Sequence, residues 1–83
     1  MNMEEDKHFN ERNALNAEMA QLMSNLAANT SPIGDWKIIK IYEARLQGEE
    51  DPYNYEELAE QRQAARDRIN EIMEELENLD KAE

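Results

Sequence analysis

Between Tyr55 and Leu79 the chain places a seam residue every three or four positions without a break: Tyr55, Leu58, Arg62, Ala65, Ile69, Ile72, Leu76 and Leu79, with Arg62 the one charged member. Only an α-helix gathers that spacing onto one side, and a stripe this narrow is the seam of a helix packed lengthwise on another. A partner stripe lies upstream. Leu15, Met19, Leu22 and Leu26 follow the same rule, flanked by Met23, and the register carried backwards meets Arg12 and His8 and weakens. The first helix is therefore expected to be firm from about Asn13.

Two breaks separate three helical stretches. At Asn29-Thr30-Ser31-Pro32, Ser31 suits an N-cap and Pro32 a first helical position, where its missing N–H costs nothing. At Gly48 to Asn54, Gly48 suits the residue after a helix end and Pro52 blocks continuation, while Asn54 with Glu57 forms a variant of the capping box. The middle stretch holds Trp36, Ile38, Ile39, Ile41 and Tyr42, which would also suit a strand. No second strand exists to pair with it. As a helix it shows one apolar stripe of Trp36, Ile39, Tyr42 and Leu46, widened by Ile38 and Ile41, with Lys37, Lys40, Ala44 and Gln47 opposite.

The expected fold is all-α: one domain over residues 1–83, with helices at about 5–28, 32–47 and 55–80 and fraying at 1–5 and 81–83. The outer helices would be roughly 35 to 40 Å long and the middle one about 22 Å. A short helix cannot cover two long seams. One end of the seam should stay open, to be covered by a second copy of the chain or by another partner. The residues expected in the core or at that self-association surface are Leu15, Met19, Leu22, Leu26, Trp36, Ile39, Tyr42, Ile69, Ile72, Leu76 and Leu79.

Charge narrows the choice of partner. Twenty acidic and nine basic side chains give a net charge of -11, which disfavours nucleic acid or an anionic membrane as a direct ligand and favours a basic protein surface. Residues 49–61 carry six acids and no base, around a helix N-terminus where the macrodipole favours negative charge by about 0.3 to 1 kcal/mol each. Residues 69–83 carry six acids and one base near a helix C-terminus, where the dipole opposes them. The surface expected to meet a partner is Glu49, Glu50, Asp51, Tyr53, Glu56, Glu57, Glu60, Glu71, Glu74, Glu75 and Asp80, with Tyr53 and Tyr55 exposed beside the first cluster.

Signs of chemistry are sparse. Glu5-Asp6-Lys7-His8 matches the Glu-x-x-His spacing of di-iron helices, but His8 is the chain's one histidine and such a site needs more ligands, so neither metal nor cofactor is expected. There is no cysteine, no glycine-rich phosphate loop and no serine beside a base, so the chain reads as a non-enzyme. No apolar run approaches the about 18 residues of a membrane span, and the acidic start lacks a signal peptide's features, which points to the cytoplasm. Arg62, at a core-facing position, is expected to lay its methylenes along the seam and reach solvent or an acid such as Glu18 or Glu43, or else to set register as a buried pair.

The run Thr30-Ser31-Pro32-Ile33-Gly34-Asp35-Trp36-Lys37-Ile38-Ile39-Lys40-Ile41-Tyr42-Glu43, with Pro52-Tyr53 and Arg62-Gln63-Ala64-Ala65-Arg66-Asp67-Arg68-Ile69-Asn70, resembles a group of short proteins encoded in bacteriophages and prophages. The resemblance spans roughly residues 29 to 70 and carries over no activity and no functional residue. It implies a setting: small acidic phage proteins include inhibitors of host defence enzymes, among them anti-CRISPR proteins that mimic DNA, and minor assembly components. The expected function is thus inhibition or adaptation of a host macromolecule, such as a nucleic-acid-binding defence protein; the alternative is a self-assembling scaffold.

Overall fold

The computed structural model describes the backbone of residues 3–82 and the side chains of residues 8–81. Three helices form, and no strand among the described residues: α1 (Met3–Ala27), α2 (Asp35–Leu46) and α3 (Tyr55–Ala82). Of the ends expected to fray, Met1, Asn2 and Glu83 lie outside the described residues, and 3–5 and 81–82 are helical.

α1 and α3 run antiparallel. Their ion pairs and hydrogen bonds count down one helix as they count up the other: the Arg62 guanidinium donates to the Leu26 carbonyl at 3.2 Å, Arg68 meets Glu18 at 2.6 Å, and Arg12 meets Asp80 at 2.9 Å. The seam predicted for α3 is the core, with Leu58, Ala65, Ile69 and Ile72 buried and Ile72 reaching 0 % exposure. The α1 stripe of Leu15, Met19, Leu22 and Leu26 faces it but is half-buried along its length, as are Leu76 and Leu79 at the far end of α3. Core cover is thickest at the end where α2 packs and thins toward the other, in a molecule 62 × 20 × 15 Å.

The middle helix departs from expectation in two ways. It starts at Asp35, not at residue 32, because Ser31-Pro32-Ile33-Gly34 closes a tight turn. The Ser31 carbonyl accepts from the Gly34 amide at 3.2 Å and from the Trp36 indole N–H at 2.7 Å, and the Ser31 hydroxyl accepts from the Ile33 amide at 3.2 Å. Pro32 takes the second position of that turn, for which its ring is pre-set, and the N-cap passes to Gly34, which is buried. A β-carbon on Gly34 would stand 2.2 Å from the Ala28 carbonyl oxygen, so the close approach of α1's end to α2's start requires glycine there.

The second departure is the face α2 buries. Ile41 and Ala44 are buried and Ile38 half-buried, whereas Ile39 (54 %), Tyr42 (63 %) and Leu46 (69 %) are exposed. The expected core positions Ile39 and Tyr42 thus lie outside the monomer's core, Trp36 is half-buried, and Ala44, assigned to the polar side, packs inward. Two apolar stripes one residue apart run along this helix, and the small Ala44 permits the closer approach.

At the second break the predicted Gly48 stop and the Asn54 half of the predicted capping box form. Gly48 adopts φ +74° and closes a Schellman motif, its amide bonding to the Arg45 carbonyl at 3.1 Å and the Glu49 amide to the Ala44 carbonyl at 2.8 Å. Asn54 caps α3, its side-chain oxygen accepting from the Glu57 amide at 3.1 Å.

Candidate functional site

Arg62 is 7 % exposed and joins three elements at one point. One guanidinium nitrogen donates to the Leu26 carbonyl at the end of α1 (3.2 Å) and to the Ile33 carbonyl in the turn (2.7 Å), and the other meets Asp35 at the start of α2 (2.5 Å). The carboxylate is Asp35 and not the expected Glu18 or Glu43. Glu43 lies on the exposed side of α2, and Glu18 belongs to Arg68. This site is the clamp that sets α2 on the α1–α3 hairpin.

The acids expected to form one binding surface separate into two groups. Toward the C-terminus of α3, Arg68 holds Glu71 (3.2 Å) and Glu75 (3.6 Å) together with Glu18 of α1, and Arg12 of α1 holds Asp80. Glu71, Glu75 and Asp80 therefore have a structural role, and cations from both helices offset part of the charge that the dipole opposes. Arg68 bonds keep the Glu18 carboxyl below its ordinary value of 4.5, and the same contacts hold the Arg68 proton more tightly. Glu74 is exposed and enters no ion pair among the described residues.

Around the second break the arrangement differs. Asp51 is engaged: both its oxygens accept from Arg45, at 2.9 and 2.8 Å, which lowers its carboxyl from 3.8, and the Arg45 guanidinium lies 4.9 Å above the Tyr55 ring. Tyr53, expected to be exposed, is half-buried, edge-on to Trp36 at 5.6 Å, with the Lys37 ammonium 4.7 Å over its ring. These contacts tie the loop down. Glu49, Glu50, Glu56, Glu57 and Glu60 stand exposed around it, and none enters an ion pair among the described residues. The dipole of α3 accounts for Glu56 and Glu57, in its first turn, and not for Glu49, Glu50 or Glu60.

At the opposite end of the molecule an apolar groove of about 470 Å³ opens between α1 and α3, lined by Glu11, Ala14, Leu15, Glu75, Asn78 and Leu79. Leu15 and Leu79 were legible as seam residues. Ala14 and Asn78, on the flank of that seam, carry no signal beyond being small or neutral beside Leu15 and Leu79.

Glu5 of the Glu-x-x-His pattern lies outside the described side chains. Among the described residues no three His, Cys, Asp or Glu side chains converge as metal ligands, and no helix is long and apolar enough to cross a membrane. Compared with protein-family models, curated proteins and solved structures, the chain matches none.

Proposed function

We propose that this protein acts by binding a protein partner with a basic surface, as an inhibitor or adaptor occupying a groove that would otherwise hold nucleic acid. The observation that supports the reading is the division of the acids. Near the C-terminus of α3, Glu71, Glu75 and Asp80 are held by arginines of the same chain, while Glu49, Glu50, Glu56, Glu57 and Glu60 present five exposed carboxylates on a loop and helix start held in place by Trp36, Lys37, Tyr53 and the Arg45–Asp51 pair. An acidic patch on an ordered support loses little freedom on docking, and its charge steers a basic partner toward it. In a bacteriophage setting the partner is a nucleic-acid-binding host defence protein, met in the host cytoplasm.

The test is capture of host proteins on the immobilised chain at low ionic strength with release by a salt step, repeated with Glu49, Glu50, Glu57 and Glu60 all changed to Gln. The expected partner is basic, and its affinity falls at least about tenfold, about 1.4 kcal/mol, in the fourfold variant. Capture that ignores both salt and the four substitutions would overturn the reading.

A further inference from the structure

While α2 buries Ile41 and Ala44, it turns a second apolar row outward, Ile39, Tyr42 and Leu46, each more than half exposed. Their spacing of three and four residues sets them on one line about 10 Å long, two turns of helix. One exposed leucine needs no explanation, but three large apolar side chains in line make a patch, and patches mark contact surfaces. Carboxylates frame this one. Glu43 stands one turn beyond Ile39, and Glu49 and Glu50 follow Leu46, where the Glu49 amide bonds to the Ala44 carbonyl at 2.8 Å and fixes the start of the loop against the end of α2. All three acids are exposed, and none enters an ion pair among the described residues. Of the basic side chains of α2, Lys37 lies over the Tyr53 ring and Arg45 is held by Asp51. Lys40 alone stands beside the row, on the flank away from Tyr42.

We propose that this face docks a basic amphipathic helix of the protein partner, whose apolar stripe lies along Ile39, Tyr42 and Leu46 while its lysines or arginines meet Glu43, Glu49 and Glu50. Charge complementarity selects the occupant. A frame of carboxylates attracts cations and repels an anionic membrane. A second copy is disfavoured as well, because it would bring the same three carboxylates on a chain of net charge -11. The i, i+3, i+7 spacing of the row matches the anchors that an amphipathic helix presents. The inference rests on the reading that the partner is basic, and it adds which part of the partner is met and how. The acids supply attraction that salt screens, and the row supplies apolar contact that salt does not screen.

The test titrates the full chain into two fluorescent synthetic peptides of about 18 residues, long enough to form a helix. Both contain the same leucines and lysines; one places its leucines at i, i+3, i+4 and i+7, and the other scatters them so that no stripe forms. At about 0.15 M salt, which screens exposed charges beyond about 8 Å, the striped peptide is expected to bind about tenfold more tightly than the scattered one. Ile39→Gln combined with Leu46→Gln should abolish that preference and retain helical circular dichroism, since both side chains are more than half exposed. Should that variant lose its helicity, Tyr42→Gln carries the test, with the preference reduced about threefold. Equal binding of the two peptides by the parent, or a preference undiminished in these variants, would overturn the proposal. So would a parent dimer that Ile39→Gln with Leu46→Gln dissociates, because a second copy would then cover the row. The variant with Glu49, Glu50, Glu57 and Glu60 changed to Gln keeps the two readings apart. If it weakens both peptides equally while the Ile39 and Leu46 changes alter neither, the basic-partner reading stands and the docked helix falls.

Discussion

At the scale of single residues, Arg62 does what no apolar side chain could do in its place. Three carbonyl or carboxylate groups from α1, the turn and α2 converge on it. The Leu26 carbonyl is one of those a helix end leaves without an intrahelical donor. Replacing Arg62 with Ala strands these acceptors in a half-buried site. Because the Asp35 side chain is 57 % exposed, the ion pair itself is screened and the loss is set by the hydrogen bonds, about 2 kcal/mol in total. Arg62→Lys should recover less than half of that, since one ammonium cannot reproduce a planar fork reaching three separate oxygens. Urea unfolding of the two variants checks this; full recovery by lysine would mean that charge and not geometry holds the clamp.

At the scale of elements, the α1–α3 contact is closed along one flank by Arg68 and Glu18, and acid should open it selectively. The Glu18 carboxyl is lowered from 4.5 in the folded protein, so its contribution is fully present above that value and is lost as pH falls through the lower folded value. The stability gap between the parent and Glu18→Gln, measured by chemical unfolding, should therefore be open at pH 7 and close progressively below about pH 4.5. A gap that persists unchanged at pH 3 would assign the effect to packing.

How far such elements can be read from sequence depends on how many alternatives the pattern leaves. α3 was legible because its seam has one phase, from Leu58 to Leu79, and its cap at Asn54 and the stop at Gly48 have local causes. The phase of α2 was not legible, because two apolar stripes lie one residue apart on it. Which one packs is decided at a distance, by the Arg62–Asp35 bond and by Gly34 against Ala28. The ion pairs of Arg68 and Arg12 were hidden for the same reason, being contacts between residues about 50 to 70 positions apart. So was the division of the acids into paired and open sets.

For the whole molecule, uneven cover along the long axis implies uneven stability. Buried residues cluster where α2 packs, from Ile41 and Ala44 to Leu58 and Ile72, and the distal arm rests on half-buried side chains. Helices with few buried contacts open locally without global unfolding. In dilute solution amide hydrogens over residues 11–19 and 73–79 should therefore exchange much faster than those of 58–69, which open only with the whole fold. Arm and core amides that are equally protected would show that two helices suffice there.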